Sequence, residues 1–243
     1  MNIEDKILAL IKMANPKDPI SYTQSIIKSY AVEKINEGIK SCERCKLHNN
    51  GIRTIGYGDM NSSILIIADD PSEEQYLHGH STSIPLYGED DATFTRALNV
   101  INANKQALFI INSVNCYSAI NNNNKLEKKL PKVNERTACK YHVDKFINAI
   151  GPSVIITLGS IATNALSSTR ISIIEGRGKE FDYKGYTVIP TFHPSFFRTM
   201  ANEIDVEIMN MYKDNFLIDL YKAFSLALQA NPDCNIGNIK LPF

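Results

Sequence analysis

Four cysteines, two aspartates, an asparagine and a histidine are the residues of this chain with chemistry to offer. Cys42-Glu-Arg-Cys45 sets two thiols three positions apart, a spacing used by zinc sites, iron–sulfur clusters and redox dithiols alike. Cys116 and Cys139 complete a set of four, two close and two distant in sequence. Four thiolates can close a tetrahedral zinc site or hold a [4Fe-4S] cluster; the competing reading is that some are small buried hydrophobes. With Cys234 the count is odd, which argues against a disulfide framework. Asp69-Asp70-Pro71 places two carboxylates side by side. They repel, so one carries a raised pKa or points elsewhere. One could orient a water for attack on an electron-poor carbon; the alternative is an ordinary loop or helix-cap aspartate. Asn112 can donate and accept through one side chain, which suits a planar ring edge bearing both C=O and N–H, although turn asparagines are common. His193, in a His-Pro-Ser turn, could donate to an oxygen on which negative charge develops. His78 and His80 have the look of a metal pair but read as loop residues.

These residues need elements to hold them. Four short apolar runs, Ile64–Ile67, Leu108–Ile111, Val154–Leu158 and Thr187–Ile189, are nearly continuous rather than alternating, as strands buried on both faces are. Helical patterns separate them, marked by Phe94, Leu98 and Ile101, by Tyr141, Phe146 and Ile150, and by Ile161, Ala162 and Leu166. Strand–helix alternation predicts a three-layer α/β/α fold around a central four-stranded, mainly parallel sheet. Ligands bind such sheets beyond the carboxyl ends of the strands. The four runs lead, in order, into Ala68-Asp69-Asp70, Asn112, Gly159-Ser160 and Pro190-Thr-Phe-His193. Two carboxylates, an amide and an imidazole are therefore expected on one rim.

The flanks carry less information. Residues 3–13 have helical apolar spacing, Pro16 and Pro19 interrupt it, and a second helix is expected from Thr23 to Ile39, forming an N-terminal helical extension over 1–40. The main domain spans 41–230, with a hairpin turning at Lys184-Gly185 and a last helix from Met211 to Leu228. A tail over 231–243 reads as irregular. Asn121–Asn124 reads as a flexible loop. The adjoining Lys125-Leu-Glu-Lys-Lys-Leu-Pro-Lys132 is either a basic rim or a solvated, mobile loop. Net charge is zero, which excludes binding of nucleic acid by bulk charge alone. No apolar run reaches the roughly 18 residues of a membrane span, and the N-terminal stretch, with acids beside its apolar positions, reads as an amphipathic helix rather than a signal peptide. A cytoplasmic protein without a membrane partner is expected.

The motifs, taken in order, resemble those of the iron–sulfur-cluster (family 4 type) uracil-DNA glycosylases. Cys42-x-x-Cys45-x-Leu47, Gly56-Tyr-Gly58-Asp59 and the strand ending in Ala68-Asp69-Asp70-Pro71 are similar to that family's C-x-x-C-x-L, G-x-G-D and G-E-A-P-G. Asn112-Ser-Val-Asn-Cys116, Pro131-x3-Glu135-x3-Cys139, Leu158-Gly159, Gly176-Arg177-Gly178 and Pro190-Thr-Phe-His193-Pro194-Ser195 resemble its later motifs. The resemblance implies base-excision repair by a monomer acting on uracil-containing DNA. It implies a structural [4Fe-4S] cluster on Cys42, Cys45, Cys116 and Cys139, with zinc as the lesser alternative. Ala68, Asp69, Leu86, Asn112 and His193 would bind a flipped uracil, with Asp70, Asp69 and His193 catalytic.

The chain also departs from the pattern. Asp69 stands for the family's glutamate, one methylene shorter. Asp70 stands where cluster-free relatives reading G-Q-D-P carry their water-activating aspartate, so it is favoured over Asp69. Leu86 replaces a phenylalanine that stacks on uracil, a platform worth about 1–3 kcal/mol, with Tyr76 or Tyr87 as substitutes. Tyr117-Ser118-Ala119 replaces R-P-P. These departures leave two rivals: a glycosylase for another deaminated base such as hypoxanthine, and a non-catalytic DNA-binding member.

Overall fold

The computed structural model describes residues 19–78, 84–122 and 125–241, with positions 5 and 9. Apart from those two positions the helix expected over residues 3–13 lies outside the described residues, as does His80. Helix α1 (Pro19–Lys40) begins earlier than expected. Pro19, read as a breaker, instead opens it, because the first helical position has no partner for an N–H and suits the fixed φ of proline. Next come β1 (Tyr57–Gly58), β2 (Ile64–Ala68), a short α2 (Glu73–Leu77), α3 (Gly88–Val100) and β3 (Phe109–Asn112). After these lie β4 (Ala119–Asn122), β5 (Lys125–Lys128), α4 (Val133–Ile150), β6 (Val154–Leu158), α5 (Ser160–Leu166) and α6 (Ile173–Gly176). The chain ends with β7 (Phe181–Tyr183), β8 (Tyr186–Thr191), α7 (Ser195–Thr199) and α8 (Val206–Ala230).

The sheet has six strands in the order β1-β3-β2-β6-β8-β7, rather than the four expected. The four expected strands form its parallel centre, and each edge strand pairs antiparallel. Edge strand β1 was not expected because its two residues are too few to write a pattern; β7 is the first arm of the expected hairpin. Every residue of β2, β3 and β6 is buried, which is why their sequences are continuous apolar runs. Successive residues still face opposite ways. Ile64 and Ile66 join Phe94 and Leu98 of α3 and Phe216, Leu220 and Phe224 of α8. Leu65 and Ile67 join Val32, Ile35 and Ile39 of α1 and Val143, Phe146 and Ile150 of α4. The result is three layers, with α1 contributing directly to one of the two cores.

The expected hairpin at the sheet edge is present. Lys184 and Gly185 both have positive φ, 54° and 87°, the conformation a tight two-residue turn between twisted strands demands. A second hairpin corrects the reading of Asn121–Asn124 as a flexible loop at Asn121 and Asn122, which are strand; positions 123 and 124 lie outside the described residues. Strands β4 and β5 pair antiparallel from Ala119↔Lys128 to Asn122↔Lys125. That correction extends to the lysine-rich stretch, where Lys125–Lys128 are strand rather than mobile loop. Residues 231–241 form neither helix nor strand, as expected, yet Ile236 is buried and its carbonyl accepts from the Asn104 N–H at 2.9 Å. Among the described residues no helix is long and apolar enough to cross a membrane.

One buried ion pair anchors α8 to the sheet. Asp219, with a side chain only 1% exposed, accepts from the Arg177 guanidinium and from Thr191 Oγ1 at 2.7 Å. Gly178 leaves room for it: at its φ of +69° a Cβ would stand 2.4 Å from Asp219 Oδ1. Arg177-Gly178 is thus a packing signature. Asp219→Asn, which strands the Arg177 charge, is expected to cost about 3–5 kcal/mol in urea unfolding; a loss below 1 kcal/mol, about the worth of an exposed pair, contradicts this account.

Candidate active site and thiol pocket

The four central strands end level. Asn112 pairs with Ala68, Ala68 with Leu158, and Leu158 with Thr191, so one row crosses the sheet at about 4.8 Å per strand. Asp69, Gly159 and His193 lie just beyond that row.

Asp69 ties three elements together. Its carbonyl accepts from Ser113 Oγ at 2.7 Å and the Val114 N–H at 3.1 Å. Its carboxylate accepts from the Ala162 N–H at 2.7 Å and also from Ile161, at the start of α5. Those amides are the unpaired donors of a helix N-terminus. Gly159 makes the approach possible, since a Cβ there would sit 2.3 Å from Asp69 Oδ2. Burial pushes the Asp69 carboxyl up to about 7, the α5 amides pull it down, and the neighbouring Asp70 charge adds to the rise.

Asp70 faces the other way. Its Oδ2 lies 2.5 Å from Lys128 Nζ, and the Ser118 N–H also donates to it. Burial raises its pKa and Lys128 opposes the rise. Pro71 and Ser72 then start α2, where Ser72 and Gln75 cap each other's backbone N–H groups. Gln75 Nε2 reaches on to the Ile84 carbonyl at 2.8 Å. This fixes the loop carrying Leu86, which has φ 54° and is 3% exposed, packed in the core that holds Ala68 and Phe94. Of the substitute aromatics, Tyr76 stacks on Tyr117 with ring centroids 4.6 Å apart, and Tyr87 lies beside His78.

Asn112 is buried, and its Nδ2 donates to Thr54 Oγ1 at 2.9 Å. The bond fixes the plane of the amide. On the far side, the Ser195 N–H donates to His193 Nδ1 at 3.2 Å. A backbone N–H can only donate, so Nδ1 is the acceptor and the ring proton sits on Nε2. Burial lowers the His193 pKa to about 4, opposed by Asp90 and reinforced by Lys128 and Arg198. The ring is a neutral donor. Lys128 acts electrostatically on Asp69, Asp70 and His193 together, so the three share one neighbourhood.

The thiols meet elsewhere. Cys42 and Cys45 come after α1, Cys116 comes after β3, and Cys139 lies in α4; all four line one pocket with Asn115 and His142. No cysteine among the described residues is in a disulfide. Burial pushes Cys116 up to about 11 and Cys139 up to about 12. As thiolates they require a compensating positive centre. Asn115 Nδ2 and His142 Nδ1 are buried without a hydrogen-bond partner, and His142 Nε2 is 3.3 Å from Cys42 Sγ. Polar groups beside gathered sulfurs fit a metal–sulfur centre better than an apolar core. Among the described residues no three His, Cys, Asp or Glu side chains are drawn together as around a single ion.

Comparison with known proteins bears on both sites. Residues 55–220 match the family described as the Uracil DNA glycosylase superfamily. The chain belongs to that superfamily. It is 30% identical over 177 residues to the type-4 uracil-DNA glycosylase of Thermotoga maritima, covering 71% of this chain and 86% of that protein. The type-4 enzymes of Sulfurisphaera tokodaii and Saccharolobus solfataricus are 29% and 28% identical, each over 68% of this chain and over 74% and 76% of their own lengths. Asp69, Asp70, Asn112, Cys116, Cys139 and His193 fall inside the superfamily match, and Cys42 and Cys45 precede it.

Three contributors escaped the sequence reading: Thr54, Gly159 as the space for a carboxylate, and Lys128. Gly159 alone carried a signal, a glycine directly between a strand and a helix.

The state of His193 is measurable. Its folded pKa lies below its unfolded value, so the unfolded chain takes up the proton first. The ring's share of stability is therefore full above about 6.5, the unfolded value, and is lost as pH falls through about 4. Its Cε1 proton resonance is expected to titrate with a midpoint near 4; a midpoint at the unfolded value contradicts the buried neutral ring.

Proposed function

We propose that this chain hydrolyses the N-glycosidic bond of uracil in DNA and leaves an abasic site. The observation that carries the reading is the level row of strand ends, with an oriented amide and a neutral imidazole donor at its two sides, in a chain of the uracil-DNA glycosylase superfamily. A base must leave the stack to reach these strand ends. Asn112, its amide plane held by Thr54, reads the uracil edge that offers both C=O and N–H. His193 donates from Nε2 to the O2 of the departing base, where negative charge develops. A neutral donor already in place needs no proton transfer and stabilises charge only as it forms; one such donor is worth about 3–4 kcal/mol. The sugar passes through an oxocarbenium-like state, as in other glycoside cleavage. Asp70, which stands where the cluster-free relatives carry their water-activating aspartate, is the carboxylate that orients the attacking water, while Asp69 is engaged by the α5 amides.

Cys42, Cys45, Cys116 and Cys139 would hold a [4Fe-4S] cluster, which binds the end of α1 to the loop after β3 and to α4 and takes no part in chemistry on the base. The donor set supports this reading: four thiols around one pocket, with buried polar groups beside them. Iron, sulfide and zinc content of the purified protein decides between the cluster and zinc.

Purified protein is expected to release uracil from a uracil-containing oligonucleotide, and Asn112→Ala and His193→Ala each to slow single-turnover release about 10²–10³-fold without loss of visible absorbance. Folded, cluster-bearing protein that releases no uracil refutes the proposal. The burial of Leu86 favours a second reading, excision of another deaminated base such as hypoxanthine, because an aliphatic side chain packed in the core offers no stacking ring. Hypoxanthine oligonucleotides cleaved faster than uracil ones select it.

A further inference from the structure

The β4–β5 hairpin follows directly on Tyr117-Ser118-Ala119, the segment that replaces R-P-P, and the reaction above makes no use of it. Its stem nonetheless converges on Asp70. The Ser118 N–H, at the foot of β4, donates to the Asp70 carboxylate. Lys128, the last residue of β5, brings its Nζ to 2.5 Å from Asp70 Oδ2 and to 2.7 Å from the Pro71 carbonyl. The two donors are locked to each other, because Ala119 pairs with Lys128 and the Lys129 N–H donates to the Ser118 carbonyl at 2.9 Å. The ammonium lies 5.1 Å above the Tyr117 ring, which stacks on Tyr76. Exposure is one-sided: 6% for the Asp70 side chain and 33% for that of Lys128. The neighbouring Lys129 is turned to Glu135 at 2.8 Å.

We propose that Lys128 is a positioning residue of the excision reaction, holding the Asp70 carboxylate by one oxygen in the orientation that presents it to the attacking water. This rests on Asp70 as the water-orienting acid. The hairpin is then a clamp on a carboxylate. A buried carboxylate needs such a partner, since burial alone favours its protonated form. The charged and titratable groups facing Asp70 are Lys128 and Lys129 from the hairpin, Asp69 beside it in the chain, and the Tyr117 hydroxyl. Lys128 is the strongest of those that keep it ionised. A carboxylate that orients water works ionised, so activity falls as pH drops through its pKa, and loss of Lys128 moves that fall to higher pH.

The test is single-turnover excision of a uracil oligonucleotide by the full chain across the acid limb of its pH profile. Lys128→Met is expected to move the limb upward by about one unit or more, with oligonucleotide affinity unchanged and Lys128→Arg restoring most of the shift. An unmoved limb overturns the proposal, and an unmoved limb with weakened, more salt-sensitive binding makes Lys128 a phosphate contact instead. Asp70→Asn separates the two levels. If it is inactive while Lys128→Met keeps the original limb, only the clamp is wrong. If it stays fully active, the role of Asp70 fails and the clamp with it. Should Lys128→Met lose its circular dichroism signature, Lys128→Ala with added ethylammonium carries the same test: restored rate supports the clamp, and no response overturns it.

Discussion

The site depends on how one buried carboxylate is held. Asp69 stands at the point where β2, the loop after β3 and the turn from β6 into α5 meet. Its carboxyl has lost water, which favours the protonated form, and has gained two helix-end amides, which favour the anion; the two effects leave it at about 7. Each amide is a donor that α5 cannot satisfy internally, so the carboxylate and the helix end complete one another. The arrangement tolerates no Cβ at position 159. It also decides the division of labour between the adjacent acids. With Asp69 turned into the fold, Asp70 is forced to the opposite side, toward the hairpin and the rim. The adjacency that suggested a shared site in the sequence resolves into one acid bound to the start of α5 and one paired with the hairpin.

The centre of the fold was legible because burial writes directly into sequence. A parallel strand covered on both faces has no polar positions, so the four central strands appear as uninterrupted apolar runs, and their carboxyl ends can be placed from the topology alone. Asn112, Asp69, Asp70 and His193 were found by that route. The β1 edge was not legible, because a strand of two residues carries no period. Nor was the β4–β5 hairpin. Its run of asparagines and lysines writes no apolar period, and it is held by backbone pairing, which any side chain can accompany. Lys128 was hidden for a related reason. Within a run of lysines nothing distinguishes the one that reaches a carboxylate 58 positions earlier; only the hairpin register aims it. Pro19 misled through context, since proline that breaks a helix in its interior begins one at its first turn.

The two centres are joined by a short polar chain. Asn112 donates to Thr54, and the Thr54 N–H donates to the carbonyl of Asn115 at 2.8 Å. The side chain of Asn115 lines the thiol pocket. Arg53, next to Thr54, bridges by its backbone to Cys116. The Asn112 amide is therefore oriented by a segment that also borders the thiol pocket. A strand end can fix where Asn112 begins, but its side chain retains rotamers that only a neighbouring partner removes. Residues 53 and 54 thus lie between the strand end that carries Asn112 and the pocket that gathers thiols from segments up to 97 residues apart in sequence, so the orientation of the amide and the shape of the thiol pocket share one backbone segment.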